Sequence, residues 1–332
     1  MKSVFTIVRS FVCLAAPMAV VAAPSFAQDF PLTIEHKFGT TVLEEQPERV
    51  ASIDYGGIGN LLAVGVSPVT VRQWRPMDGF RFTTPPWAEH LLTTEPVVLE
   101  GALDFEAISA TNPDVIIALY SGIDAAEYER LSFIAPVVAV PAGVGDYNLS
   151  WDERARLAAR AVGKEAEAEQ QIEAISNLLS DIANDNPQWK GMTAVLGGYR
   201  SNGPFVYTPD DVRAQLLYEM GFQPTRRLEE MAQDGAFNIS LSAEQIDVID
   251  ADIVVHYVTD EQVGPSLEEP TRRFLKAYET GGEIFLGDLP VSALARVSLL
   301  SIPYALESMV PMLVVAADGD PETVVPDARL RQ

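Results

Sequence analysis

From Glu48 onward, short β-branched apolar runs alternate with stretches of helical periodicity. "RVASI" (49–53), "PVTV" (68–71) and "PVVL" (96–99) are strand-like, and "NLLAVGV" lies between the first two. "LDFEAISATNPDVIIAL" predicts a helix, a stop at Asn112-Pro113 and a buried strand over 114–119; "EYERLSFIAPVVAV" repeats the unit. Strands alternating with helices of this length imply βαβ units and mainly parallel sheets. An uninterrupted apolar run such as "VIIAL" suits a strand covered on both faces.

The alternation breaks at "WDERARLAARAVGKEAEAEQQIEAISNLLSDIAND" (151–185), which carries no proline and one glycine, Gly163. Ile172, Ile175, Leu178, Leu179 and Ile182 recur at steps of three and four, which marks one helix face. Read as one helix capped by Ser150 or Asp152 and ended by Asn186-Pro187, it would span about 50 Å, a strut between lobes. Beyond it the strand–helix units resume in "MTAVLGG", "FVYTPDDVRAQLLYEMGF", "AEQIDVIDADIVVHYV" and "RFLKAYETGGEIFLG", and "ALARVSLLSIPYALESMVPML" supplies a terminal helix. The predicted architecture is α/β, two Rossmann-like lobes with mainly parallel sheets bridged by one long α-helix. Its parts are a leader (1–27), an N-terminal lobe (28–150), the inter-lobe helix (151–186) and a C-terminal lobe (187–332). Open α/β sheets bind ligands beyond the carboxyl ends of their strands, so strand-end loops of both lobes are expected to share a cleft.

The leader changes the picture. Lys2 and Arg9 precede an apolar run of about 13 residues, too short for a membrane span, and Ser25-Phe26-Ala27 puts small residues at the cleavage positions. This is the layout of a secretory signal cut after Ala27, which sends the chain to the periplasm. Cys13, the single cysteine, lies inside it and lacks the small preceding residue of a lipid-attachment site, so no disulfide or thiolate chemistry is expected of the mature chain. A formal charge of −24 over 332 residues argues against nucleic acid and anionic membranes as partners. Catalytic motifs are missing as well. "GGIGNLL" lacks the third glycine of a dinucleotide loop, and there is no GxSxG elbow or P-loop. His36, His90 and His256 stand at no metal-ligand spacing, so no metal site and no cofactor are expected.

Against this acidic background "TVRQWRP" (70–76) gathers Arg72, Trp74 and Arg75 after a predicted strand. "HKFGTTVLEEQPERVASID", "NLLAVGVSPVTV", "LDFEAISATNPDVIIA", "LSFIAPVV", "RLAARAVGKEAEAEQQI" and "ISLSAEQIDVIDADIVV" follow in an order and spacing that resembles a known family. It is that of the substrate-binding proteins of ABC importers for iron(III)-siderophores, haem and vitamin B12. "FVYTPDDVRAQLLYEMGF" is most similar to the siderophore binders. The resemblance implies two lobes on a rigid helix, a shallow cleft, a ferric siderophore or related chelate as ligand, and a monomer that docks on an inner-membrane ABC permease downstream of an outer-membrane uptake system. Haem or cobalamin is the alternative cargo, with a bare metal ion behind them; Tyr55, Tyr120 or Tyr199 could supply a haem ligand.

Such a chelate calls for aromatic faces and for arginine forks that meet its oxygens. Arg72, Trp74 and Arg75 are the first candidates. By the resemblance Tyr199, Arg200, Arg296, Tyr120 and Phe237 join them, although a loop ion pair for Arg200, a helix-surface charge for Arg296, and structural packing for Tyr120 and Phe237 fit the sequence as well. Glu100 stands where some hydroxamate binders carry an arginine, and Leu294 where a tryptophan is expected. Glu129 and Glu219 match the lobe carboxylates that meet permease arginines, and solvation alone would also explain them.

Overall fold

A computed structural model describes residues 29–325 except 57, 74–79, 201–202 and 234–235. The leader, Trp74 and Arg75 therefore lie outside the described residues.

The chain opens on a hairpin of β1 (Leu32–His36) and β2 (Gly39–Leu43), with Leu32, Ile34 and His36 buried and the residues between them exposed. The strict period of two in "LTIEH" carries this strand. The first lobe is a five-stranded, fully parallel sheet of β3 (Val50–Ser52), β4 (Thr70–Gln73), β5 (Val97–Glu100), β6 (Val115–Ala118) and β7 (Val137–Ala139), in the order β5-β4-β3-β6-β7. Helices close both faces: Ile108 and Leu131 pack with Ile53, Ile116 and Val137 on one side, while Leu61, Ala155 and Ala158 pack with Val50, Val115 and Ile117 on the other. Both helices of the former side begin at side-chain caps. Asp104 accepts the Ala107 N–H, and Asp124 forms a capping box with Glu127.

The second lobe differs. Its sheet of β8 (Ala194–Arg200), β9 (Gly203–Tyr207), β10 (Asn238–Ser240), β11 (Ile253–His256) and β12 (Glu283–Phe285) runs in the order β10-β9-β8-β11-β12. β8, β11 and β12 are parallel, whereas β9 and β10 add antiparallel to that edge. The lobe sheets are thus mainly parallel, as expected, the first throughout and the second with an antiparallel edge that makes it mixed. Only two residues separate the end of β8 from the start of β9, and a connection of that length can join only antiparallel neighbours.

The stretch 151–185 is two helices, Trp151–Ala161 and Glu165–Asp185. Gly163 separates them at φ +71. Its N–H bonds the Arg160 carbonyl and the Lys164 N–H bonds the Ala159 carbonyl, a Schellman cap that uses the conformation only glycine takes freely. The strut is thus the second helix, 21 residues or about 31 Å long, rather than the whole segment. Gln171 donates to the Ala63 carbonyl of the first lobe, and Ile172, Ile175 and Leu179 enter a core continuous with Leu216, Leu313 and Ala316 of the second. The terminal segment is likewise two helices, Asp288–Arg296 and Ser301–Ala316, parted at Val297–Leu300.

That second break ties the lobes together. Leu299 N–H donates to Asn60 Oδ1 at 2.9 Å, Arg154 Nη2 donates to the Val297 carbonyl, and Trp87 stacks on Tyr304 at 4.2 Å. One apolar core plus these polar ties resists wide opening, because packed interiors deform little. Among the described residues no helix is long and apolar enough to cross a membrane.

Candidate functional site

The carboxyl ends of the first-lobe strands face the second lobe across a cavity of about 670 Å³, within the range of small-molecule sites. Tyr55 follows β3, Arg72 and Gln73 end β4, Gly101 and Ala102 follow β5, and Tyr120 follows β6. Tyr147 comes from the loop after β7. Arg213, Phe237 and Ala295 close the other side.

Alternation along β4 aims Arg72. Val71 packs outward with Ile58, Leu62 and Ala88, so its neighbour takes the opposite face. Arg72 is 7% exposed. It donates to the Ser121 carbonyl at 3.3 Å and the Gly101 carbonyl at 3.2 Å, and its guanidinium lies 4.0 Å over the Tyr55 ring. Its Nε is buried without a partner among the described residues.

Arg213 answers it from the second lobe. It sits in the first turn of the helix Val212–Glu219, where the helix dipole disfavours a cation. The fully buried N-cap Asp211 offsets this: Oδ1 accepts the Arg213 backbone N–H and Nε, and Oδ2 accepts Nη2 at 2.6 Å. Burial works against the guanidinium charge, but the Asp211 bonds and charge outweigh it and hold the pKa above its usual value. Arg213 also donates to Tyr207 Oη at 3.5 Å and to Tyr120 Oη at 3.4 Å, the latter across the cleft.

Aromatic edges complete the wall. Tyr147 meets Tyr120 edge-on at 5.0 Å and Phe237 at 5.7 Å. Gly122 makes room for it: a Cβ there would lie 2.1 Å from the Tyr147 hydroxyl, and its φ of +64 also suits glycine. Behind Tyr120, Asp54 accepts the Tyr120 N–H at 2.8 Å and feels the charge of Arg154. Burial dominates, and the Asp54 carboxyl is pushed up to about 6.

Of the candidates read from sequence, the cavity brings together Arg72, Tyr120 and Phe237. Tyr199 points to the other face of its sheet, where it stacks on His256, itself bonded to Glu283, which also pairs with Arg272. β8 alternates, so the residue after a cleft-facing one faces away. Arg200 is exposed at the end of β8 with its guanidinium 3.7 Å from the Phe205 ring. Arg296 is a buried residue rather than a helix-surface charge; it donates to Ser292 Oγ at 2.6 Å and lines a separate small cavity with Trp87 and Ser301. Trp74 and Arg75 lie outside the described residues. Glu129 is exposed on the helix Ala125–Ser132. Glu219 is exposed too, yet it takes the Trp151 indole N–H at 3.3 Å, and burial on that side raises its carboxyl pKa.

The sequence singled out none of Gln73, Tyr147 and Arg213, and Tyr55 only as a possible haem ligand. A signal existed for two of them. Tyr55 sits just past a predicted strand end, and an arginine beside an N-cap aspartate runs against the helix dipole. Nothing local distinguishes Tyr147.

Residues 50–268 match the periplasmic binding protein family. The Fe(3+) dicitrate-binding periplasmic protein FecB of Escherichia coli (strain K12) is 27% identical over 254 residues, 75% of this chain and 80% of that one. Among solved structures, a periplasmic solute binding protein from Mycobacterium smegmatis is 30% identical at a TM-score of 0.75, covering 86% of this chain and 98% of that one. PiaA of Streptococcus pneumoniae TIGR4, solved in complex with ferrichrome, is 27% identical at a TM-score of 0.74, covering 87% and 99%. The family match takes in well over half of the sequence and the fold agrees along nearly all of it, so this chain belongs to the periplasmic binding protein family, one of binding proteins and not of enzymes.

Proposed function

We propose that this chain is the exported substrate-binding component of an ABC importer, and that its inter-lobe cleft takes a ferric siderophore and hands it to an inner-membrane permease. One observation carries the reading: aromatic faces from both lobes converge with Arg72 and Arg213 on one cavity of about 670 Å³. Tyr55, Tyr147 and Phe237 offer apolar and π surface to the organic shell of a chelate. Arg72 offers N–H groups to its oxygens, and Arg213, locked by Asp211, presents a fixed edge. Relatives support the cargo: FecB is named for ferric dicitrate, and PiaA was solved with ferrichrome. No bond is made or broken, so the work is recognition and release.

The remaining parts follow from this role. The leader is removed after Ala27, the mature chain acts as a monomer in the periplasm, and an outer-membrane system supplies the chelate. Glu129 and Glu219, one exposed carboxylate on each lobe, meet cations of the permease. Titration of the mature protein with ferric hydroxamate, ferric catecholate, ferric citrate, haem and cobalamin, followed by tryptophan fluorescence, tests the reading. Saturable binding of a ferric chelate, absent with the iron-free chelator, is the expected result. Binding of haem or cobalamin alone would replace the cargo, and silence throughout would refute the proposal.

A further inference from the structure

We infer that the cleft selects a ferric chelate of zero or low net charge and discriminates against polyanionic ones. This rests on the ferric-siderophore reading above and narrows its substrate class.

The charges on the cleft wall nearly cancel. Arg213 is neutralised by the bidentate Asp211. Arg154 lies behind Tyr120 near Asp54, whose carboxyl also feels Arg72. Among the described cleft-lining residues, Arg72 is the one cation that hydrogen-bonds no carboxylate. Beside the cleft, Glu100, exposed and paired in register with the cleft residue Gln73, adds a negative charge. Asp146, next to Tyr147, is taken by Lys37. The sequence of the segments not described does not tip this balance, since 74–79 carries Arg75 and Asp78, 201–202 no charge, and 234–235 Asp234.

A ferric tris-catecholate has six phenolate oxygens around one trivalent iron and so carries three net negative charges. A ferric tris-hydroxamate has three anionic ligands and is neutral. Desolvating a trianion against one excess positive charge leaves charge buried and unpaired, which is costly. The surrounding protein, at −24 overall, adds repulsion within a Debye length. A neutral chelate meets no such penalty, and the aromatic wall of Tyr55, Tyr147 and Phe237 suits its apolar shell.

The test is a paired titration of the mature protein with ferrichrome, a neutral tris-hydroxamate, and with ferric enterobactin, a tris-catecholate, at low and high salt. The expected result is a Kd for ferrichrome at least about 100-fold lower and nearly independent of salt. Gln73→Lys adds a cation at the cleft and is expected to shift the ratio toward the trianion by about tenfold. Equal or tighter binding of ferric enterobactin, or an unmoved ratio in Gln73→Lys, overturns this inference and leaves the importer reading intact. Binding of neither chelate, nor of ferric citrate, overturns both.

Discussion

Arg213 of the second lobe donates to the Tyr120 hydroxyl of the first at 3.4 Å, so the cleft is spanned by a direct polar contact between its walls. Because Asp211 and the Tyr207 ring fix the arginine and Asp54 fixes the Tyr120 backbone, the contact reports the relative position of the lobes. Tyr120→Phe keeps the ring against Tyr147 and removes this bond. Urea unfolding is expected to show a loss of about 1 kcal/mol, and chelate affinity should fall by several-fold as the lobes lose register. An unchanged affinity would mean that the contact is incidental to binding.

Arg72 is held by two carbonyls and by the Tyr55 ring, all of which use the flat, forked guanidinium. Arg72→Lys keeps the charge and loses the fork. Affinity for the ferric chelate, read by calorimetry, is expected to drop at least about tenfold. Retained affinity would show that only the charge matters.

Tyr199 gives the opposite expectation. It stacks on His256 on the far side of the sheet, so Tyr199→Phe should leave chelate affinity within about twofold of the parent. Glu283, beneath it, bonds both His256 and Arg272. Glu283→Gln strands a buried guanidinium and is expected to cost about 3–5 kcal/mol of stability by urea denaturation. A neutral result there would contradict the buried triad.

Asp54 predicts a pH dependence. Its folded pKa of about 6 lies above its ordinary 3.8, so the folded state binds its proton more tightly than the unfolded chain does. Its favourable contribution is complete below the ordinary value and is lost as pH rises through about 6. The span is of order 3 kcal/mol. Other carboxylates titrate too, with Asp252 and Glu283 held low. The useful quantity is therefore the difference between parent and Asp54→Asn. That difference should move against the parent between pH 4 and pH 7, and a flat difference would contradict the burial assigned to Asp54.

Exposed carboxylates on the two lobes predict a transport phenotype separate from binding. Glu129→Lys with Glu219→Lys should leave the chelate Kd within about twofold and abolish stimulation of the permease ATPase. A charge-reversed protein that still stimulates the permease would remove both residues from the docking role.

Much of this fold was legible in the sequence, because buried parallel strands write themselves as continuous apolar runs such as "VIIAL", and amphipathic helices as steps of three and four. The details that composition did not display had local causes. Gly163 sits within unbroken helical composition, and its effect depends on a cap geometry that composition does not display. The antiparallel edge of the second sheet follows from the two-residue spacing between Arg200 and Gly203, paired in register. The site was harder to read. Arg72 and Tyr120 follow from their strand ends, but Tyr147 reaches the cleft from a loop only because Gly122 leaves space, a relation between residues far apart in sequence. Tyr199 and Arg200 are neighbours on a strand and so cannot share a face, which the two-residue period alone could have revealed.

The most direct measurement is a crystal structure of the mature protein grown with a ferric chelate, with the iron located by its anomalous scattering. The account predicts one iron in the cleft between Arg72 and Tyr55 on one side and Arg213 and Phe237 on the other. Iron bound elsewhere, or a cleft left empty at saturating chelate, would contradict it.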